Sequence, residues 1–501
     1  MRTKMTMTTV LTMLFATILT AGCGPERQDI LQELALLNGA WKGRQIARFD
    51  RPFSEIMLFS RRSDSSVGLS LKYEIGPRSR IWRLNDVVSY RQGTYSWNED
   101  QGTLSTGKDS MRVVRRESGG PTEWTFVRDR SADSLISALS ALSPQPYVYT
   151  VPAGLDDGWD CADLAEAGLE KSGIVKLIEE IRNGKHDDIH SLIVVKDNKL
   201  VVEEYFGAGG AMHGPLITRL LRDKVHHLAS TTKGITSILV GIAIDMGRIG
   251  SADDPISRYL PAYSSLFTGK KKQLRISHML TMTPGFEWRQ FGVSDAENDG
   301  MQMWNTDDVI RYVLQKPLIA EPGEEFNYTN GVPTVTGAIL KNAVRMEVTA
   351  FAEKHLFSPL GIKEYVWTRY PDGSLETDGG LALRSRDLAK IGQLMIDDGV
   401  WKGQKVVSVK WIKELTRERL KFGKLFSKWG YSYYWMQKPM NFGDRDISMH
   451  FVPGDGNQIL AVFPDLAMVV VVTAGNYGRD PKPEYASLFE KYVLPSVIPG
   501  R

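Results

Sequence analysis

Cysteine is nearly absent from this chain. Two occur in 501 residues, Cys23 and Cys161, so one disulfide at most could form. A chain of this length, enough for two or three domains, must then be held by packing and not by a disulfide framework. An excess of one charge is missing too: 62 Lys and Arg stand against 59 Asp and Glu, a net charge of +3. A nucleic-acid partner would need a concentrated basic face. The basic clusters are short, Lys270–Lys271–Lys272 and Arg115–Arg116, and read as solvated surface. There is no P-loop, no dinucleotide fingerprint and no Gly-x-Ser-x-Gly elbow. Beyond the N-terminus no stretch is long and apolar enough to span a bilayer; residues 234–246 are apolar but short, and fit a buried helix better.

The N-terminus is different. Arg2 and Lys4 precede an apolar stretch, residues 10–20, of signal-peptide length. Small residues follow, and Leu19-Thr20-Ala21-Gly22-Cys23 resembles a bacterial lipobox, in which the cysteine becomes the diacylated N-terminus. Thr20 stands where a lipobox usually has Leu. The expectation is a signal peptide over residues 1–22, lipidation of Cys23 and a place in the cell envelope, at the outer membrane or periplasm of a host with two membranes. A lipid chain anchors a body that otherwise stays in water. Plain secretion is the alternative. Lipidation of Cys23 leaves Cys161 unpaired.

Three blocks follow. Residues 23–130 open on a short helix at 30–37 and then show short β-like runs at 56–59, 67–73, 86–90, 94–97, 111–114 and 122–127. Turn residues such as Gly76-Pro77 and Gly119-Gly120-Pro121 separate them. Short strands at regular spacing suggest a small barrel or sandwich, and the Trp41-Lys42-Gly43 start faintly resembles lipocalin-type barrels. Residues 131–160, with Ser143-Pro144-Gln145-Pro146, read as a linker. Residues 161–501 mix α and β. Runs at 191–195 and 199–205 flank Lys196-Asp197-Asn198, a hairpin signal. Helical runs follow at 232–246, 303–315, 334–344, 348–356 and 385–398. Strand-like runs return at 431–436, 459–463 and 468–473, before a final helix at 483–493. Strands at both ends with helices between them imply an α+β domain whose sheet closes from its two chain ends.

The chemistry centres on Ser230-Thr231-Thr232-Lys233, at the start of an apolar helical run. A serine in a first helical turn sits among unpaired N–H groups at the positive end of the dipole. A residue three positions on shares its face, which sets Lys233 beside the Ser230 hydroxyl. Serine is a poor nucleophile until a base takes its proton, and a lysine of lowered pKa can do so. Ser-x-x-Lys alone is weak: Ser105-Thr106-Gly107-Lys108 has the same form in a polar, turn-rich stretch with no helix after it. The bland reading of Ser230 is a helix cap beside a solvated lysine. A second element, Tyr328-Thr329-Asn330, follows Glu321-Pro322-Gly323. The tyrosine could relay protons and the Asn330 amide could hold a substrate carbonyl or the lysine. A packed loop tyrosine is the bland reading. A third element, residues 449–458, carries His450, Gly454, Gly456 and Asn457. Glycines there would let substrate approach a strand edge, and a strand N–H together with that of Ser230 would make an oxyanion hole. His450 suits a framework role at least as well as a catalytic one.

Ser-x-x-Lys, then Tyr-x-Asn, then a Gly-rich strand: in this order the motifs resemble the class C β-lactamase, D,D-peptidase and esterase superfamily of serine hydrolases. Residues 189–192, 237–245, Leu280-Thr281-Met282-Thr283-Pro284-Gly285, 359–362, 386–390 and 454–458 resemble more closely its branch of 6-aminohexanoate-dimer hydrolases. The resemblance covers about residues 155–495. It implies a β-lactamase/transpeptidase-like fold, an antiparallel sheet flanked by helices with an all-helical lobe inserted between its strands. It also implies acyl transfer to water through Ser230, Lys233 and Tyr328, with no cofactor or metal. Asn330, Gly454, Gly456, His450 and Trp288 would lie at the substrate or oxyanion positions, Trp288 as a pocket wall or else as a core aromatic. The substrate would be a small molecule or short peptide. Two departures stand out: no Lys-Thr/Ser-Gly occurs on the third motif, and Asn457 stands where relatives carry a second glycine. A different class of function is an envelope-binding or penicillin-sensor-like module with a slow or degenerate site.

Overall fold

The structure is a computed structural model. It describes residues 146–498 apart from 187, 207–212, 214–217, 219–220, 295, 422–428 and 478–486, and, before these, the backbone of eight strands. Cys23, the helix expected at 30–37 and residues 131–145 of the expected linker lie outside the described residues. The rest of that stretch is packed where a linker was expected: Trp159 is buried, and Asp160–Cys161 pairs with Lys199 and Leu200. The chain divides into two compact units. The boundary falls between Tyr147 and Val148, with Ile181–Asp188 and Phe206–Gly214 grouped with the first unit.

The first unit holds a closed antiparallel barrel. Its strands run in sequence order: Trp41–Gln45, Ser54–Ser63, Ser66–Glu74, Val87–Arg91, Thr94–Trp97, Gly102–Thr106, Ser110–Arg115 and Thr122–Arg128. Trp41–Gln45 pairs with Thr122–Arg128 and closes the ring, leaving no free edge. Sequence reasoning passed over Gly102–Thr106, a strand of Gly, Thr and Ser with a single apolar residue. Ser105 lies on that strand, so the second Ser-x-x-Lys has no helix beneath it.

In the second unit a nine-stranded sheet joins the first and last parts of that unit. Ile189–Lys196 pairs with Lys199–Tyr205 on one side and with Met468–Ala474 on the other, and Gln458–Phe463, Arg445–Gly454 and Met436–Phe442 follow outward. The central strands are buried along nearly their whole length. Both faces are covered, which is why they read as unbroken Val and Ile runs with no alternation. The helix Ser385–Ile396 packs on one face. On the other, Phe463 meets Phe489 edge to face at 5.8 Å, and the Tyr492 hydroxyl bonds Glu180 on the helix Lys171–Arg182. One expected strand is partly a turn: Ser432 donates to the Trp435 carbonyl and Tyr434 sits at φ +66°. The apolar run at 431–436 arises because Tyr431, Tyr433, Tyr434 and Trp435 are all core residues, not because it alternates across a sheet.

Between the strands ending at Tyr205 and beginning at Gly430 lies a helical region, Thr232–Asp245, Ile276–Leu280, Val309–Gln315, Gly331–Val344 and Val348–Ala352. Thr232–Asp245 is buried on every side from Thr232 to Ala243, as expected of a helix apolar all round. Gly241 permits this packing: a β-carbon there would lie 2.0 Å from Trp411 Cδ1. This central helix is the rigid support on which the site is built.

Candidate active site

Ser230 lies in a single 3-10 turn, Ala229–Thr231, that runs directly into Thr232–Asp245. The residue before it, Ala229, has φ +46°, a left-handed conformation that side chains other than glycine seldom adopt. Strain of this kind persists where the surroundings over-determine it. Here they do: Leu228 N–H donates to the Leu381 carbonyl, and the Thr231 hydroxyl donates to the Val452 carbonyl at 3.2 Å. The turn is thereby held between the short strand Leu381–Leu383 and the strand Arg445–Gly454.

Two side chains converge on the Ser230 hydroxyl. Lys233 Nζ lies 2.8 Å from Ser230 Oγ, and the Tyr328 hydroxyl lies 2.8 Å from the same oxygen. Lys233 is 2% exposed. The Lys233 nitrogen is fixed by two further acceptors, Asn330 Oδ1 at 3.1 Å and the Asp378 carbonyl at 2.6 Å, and it stands 5.2 Å from the Tyr328 ring centre. The Asn330 side chain thus holds the lysine. Ser230, Tyr328 and Asn330 are half-buried, and open to a ligand.

Gly454 ends its strand against the nucleophile turn. A β-carbon at Gly454 would lie 2.3 Å from the Leu228 carbonyl oxygen and 3.0 Å from Thr231 Oγ1, so only glycine lets the strand come this close. Gly456 and Asn457 follow in the tight turn to Gln458–Phe463, at φ +78° and +68°. Asparagine is one of the few residues that tolerates the left-handed region, which accounts for Asn457 in a turn where glycine is the usual choice. The Gln458 amide pins this hairpin, donating to the Ala474 carbonyl at 2.6 Å and accepting from the Ala474 N–H at 3.1 Å.

Two of the sequence candidates stand back from Ser230. Trp288 is 5% exposed; its indole N–H donates to Gln290 Oε1 at 3.0 Å and its ring meets Tyr312 edge-on. It supports the site from within the core. His450 is a half-buried strand residue whose buried Nδ1 has no hydrogen-bond partner among the described residues, and desolvation pushes its pKa down to about 4.

Sequence reasoning missed two contributors. Gln290 Oε1 accepts from both the Trp288 indole and the Asn330 main-chain N–H, each at 3.0 Å, and so ties one loop to the Tyr-x-Asn segment. Asp378 supplies the carbonyl for Lys233. Its carboxyl, fully buried, accepts from the Tyr370 hydroxyl at 2.6 Å and the Thr334 hydroxyl at 3.2 Å. Burial pushes this carboxyl up from the usual range against the pull of the Lys233 charge. Neither residue belongs to a local motif; the Thr377-Asp378-Gly379-Gly380 run reads in sequence as a turn.

Known proteins resemble this chain in sequence and in fold. Residues 186–490 match the family described as Beta-lactamase. The 6-aminohexanoate-dimer hydrolase of Paenarthrobacter ureafaciens is 24% identical over 332 residues, 62% of this chain and 76% of that protein. Among solved structures, EstCE1, a hydrolase with promiscuous acyltransferase activity, superposes with a TM-score of 0.52 at 14% identity, over 64% of this chain and 98% of that one. A class C beta-lactamase superposes with a TM-score of 0.50 at 14% identity, over 66% of this chain and 96% of that one. The chain has a β-lactamase-like fold and belongs to the Beta-lactamase family of serine hydrolases.

Proposed function

We propose that this protein is an exported, lipid-anchored hydrolase that cleaves an amide or ester bond in a small molecule or short peptide, through an acyl-enzyme on Ser230. The observation that carries the reading is the Ser230 oxygen set between Lys233 Nζ and the Tyr328 hydroxyl, each at 2.8 Å. A hydroxyl so placed can lose its proton to a neighbour as it attacks.

Ser230 Oγ bonds to the carbonyl carbon, its proton passes to the Lys233–Tyr328 pair, and the carbonyl electron pair moves onto oxygen. Main-chain N–H groups of Ser230 and of the strand edge at Gly454–Gly456 receive that charge. Collapse breaks the bond to the leaving nitrogen or oxygen, which takes its proton from Tyr328 and departs as an amine or alcohol. Water then adds to the acyl-enzyme and gives its proton to the same pair. Ser230 leaves with a proton and the acid is released. No Lys-Thr/Ser-Gly occupies the third motif, which argues against a site built around the carboxylate of a penicillin or a peptide C-terminus.

A fluorophosphonate serine probe and a panel of short amides and esters test the reading. The expected result is labelling at Ser230, and hydrolysis that Ser230→Ala abolishes. Acylation by substrate without turnover would instead favour a sensor-like module with a slow site. The anchor rests on the residues around Cys23, and intact mass of the protein from its native host decides it. A mature N-terminus at any other residue, without lipid, removes it.

A further inference from the structure

Phe291 is a large apolar side chain left 73% exposed. Scattered exposed apolar residues need no explanation; the neighbour of this one does. Its ring centre lies 5.8 Å from that of Tyr328, tilted by 42°, and the Tyr328 hydroxyl is on Ser230 Oγ. The loop that carries Phe291 is not loose at its base. Arg289 and Asp299 exchange hydrogen bonds, the main-chain N–H of each donating to an oxygen of the other at 2.7 Å. The Asp299 carboxyl is also held by the Tyr312 hydroxyl at 2.6 Å and by Lys316. Asn298 Nδ2 donates to the Gln290 carbonyl at 3.0 Å, and the Gln290 side chain reaches Asn330 N–H, whose own amide oxygen holds Lys233. The residue next to Gln290 is Phe291. A chain of hydrogen bonds from the lysine thus reaches Gln290, the residue before an exposed aromatic ring that stands beside the tyrosine.

We propose that Phe291 is a specificity-determining residue that forms the wall of the leaving-group subsite, and that this subsite takes an apolar, preferably aromatic, group. The inference deepens the hydrolase reading and rests on it. In that reading Tyr328 hands the proton to the departing atom, so the departing group passes over Tyr328. The ring of Phe291 flanks that path and gains buried apolar area, and a tilted or offset ring contact, when a ligand ring lies there. An alkyl leaving group of one carbon is too small to reach it.

The test compares phenyl acetate with methyl acetate, which share one acyl group and differ only in the leaving group. Each kcat/KM is measured on wild type, Phe291→Ala and Phe291→Tyr, with Ser230→Ala as blank. The expected result is a fall of about tenfold in the phenyl-to-methyl ratio of kcat/KM for Phe291→Ala, carried mainly by KM, and its restoration in Phe291→Tyr. An unchanged ratio in Phe291→Ala, with hydrolysis still abolished by Ser230→Ala, overturns the role of Phe291 and leaves the hydrolase reading standing. Absence of any Ser230-dependent hydrolysis overturns both. Thermal denaturation of the variants accompanies the kinetics; loss of fold in Phe291→Ala would show the ring to be structural and would also overturn the proposal.

Discussion

Lys233 Nζ donates to the main-chain carbonyl of Asp378 at 2.6 Å, across 145 residues of sequence, while the Asp378 carboxyl turns to Tyr370 and Thr334. The lysine is therefore positioned by backbone and not by that side chain. Asp378→Asn should keep this hydrogen bond and lose less activity than Lys233→Ala, although it brings a buried amide N–H into a site of hydroxyl donors. Steady-state kinetics of the two variants check the order; equal losses would place the Asp378 carboxyl in the chemistry.

Lys233→Ala and Tyr328→Phe should each lower the hydrolysis rate by about 10²–10⁴-fold, the usual loss for a positioned proton-transfer group. Both act on one oxygen, so their effects should not add, and the double variant should be little slower than the worse single one. Ser105→Ala should leave the rate unchanged. Parallel kcat/KM measurements on one ester decide all three.

The approach of strand to nucleophile turn gives a steric prediction. Gly454→Ala places a methyl 2.3 Å from a main-chain oxygen, an overpacking expected to cost about 1–3 kcal/mol and to disturb the Ser230 turn. Asn457→Ala, at φ +68°, should cost about 1–2 kcal/mol, and Asn457→Gly should be tolerated. Urea unfolding of the three variants and their activities report the difference.

Arg386 is wholly buried. Its guanidinium bonds Asp157 at 2.8 and 3.1 Å and Glu203 at 2.5 Å. Burial disfavours the charged Asp157 carboxyl, but the Arg386 hydrogen bonds and charge outweigh it and hold Asp157 below the usual range. Arg386→Met strands two buried carboxylates and should destabilise the protein by about 3–5 kcal/mol. Thermal unfolding of the variant is the measurement.

Acid should weaken the fold through two half-buried histidines. Burial pushes His227 and His450 down to about 4 from an ordinary 6.5. A group whose folded pKa is depressed contributes stability that is fully present above its unfolded value and is lost as pH falls through the folded value. The unfolding midpoint should therefore drop as pH is lowered from 6.5 to 4. His450→Leu, which removes a partnerless buried nitrogen, should flatten part of that slope. An unchanged slope would show that His450 is hydrated in solution.

Local order determined much of this protein. The 3.6-residue period and the Ser230–Lys233 spacing belong to one helix start, so nucleophile and lysine could be paired from the sequence. The Val and Ile runs at 189–196 and 468–474 marked the strands that join the first and last parts of the second unit, because a strand covered on both faces has no polar side to show. Tyr328 and Asn330 were recognised as a motif, yet nothing in their local sequence aims one at the serine and the other at the lysine. That was decided by the packing of Gly331–Val344 against the central helix. Tertiary structure alone brought in Gln290, Asp378 and Phe291. Their contacts with Asn330, Lys233 and Tyr328 join separate loops, and a loop residue's partner is set by how the elements beneath it pack, which no short-range pattern records.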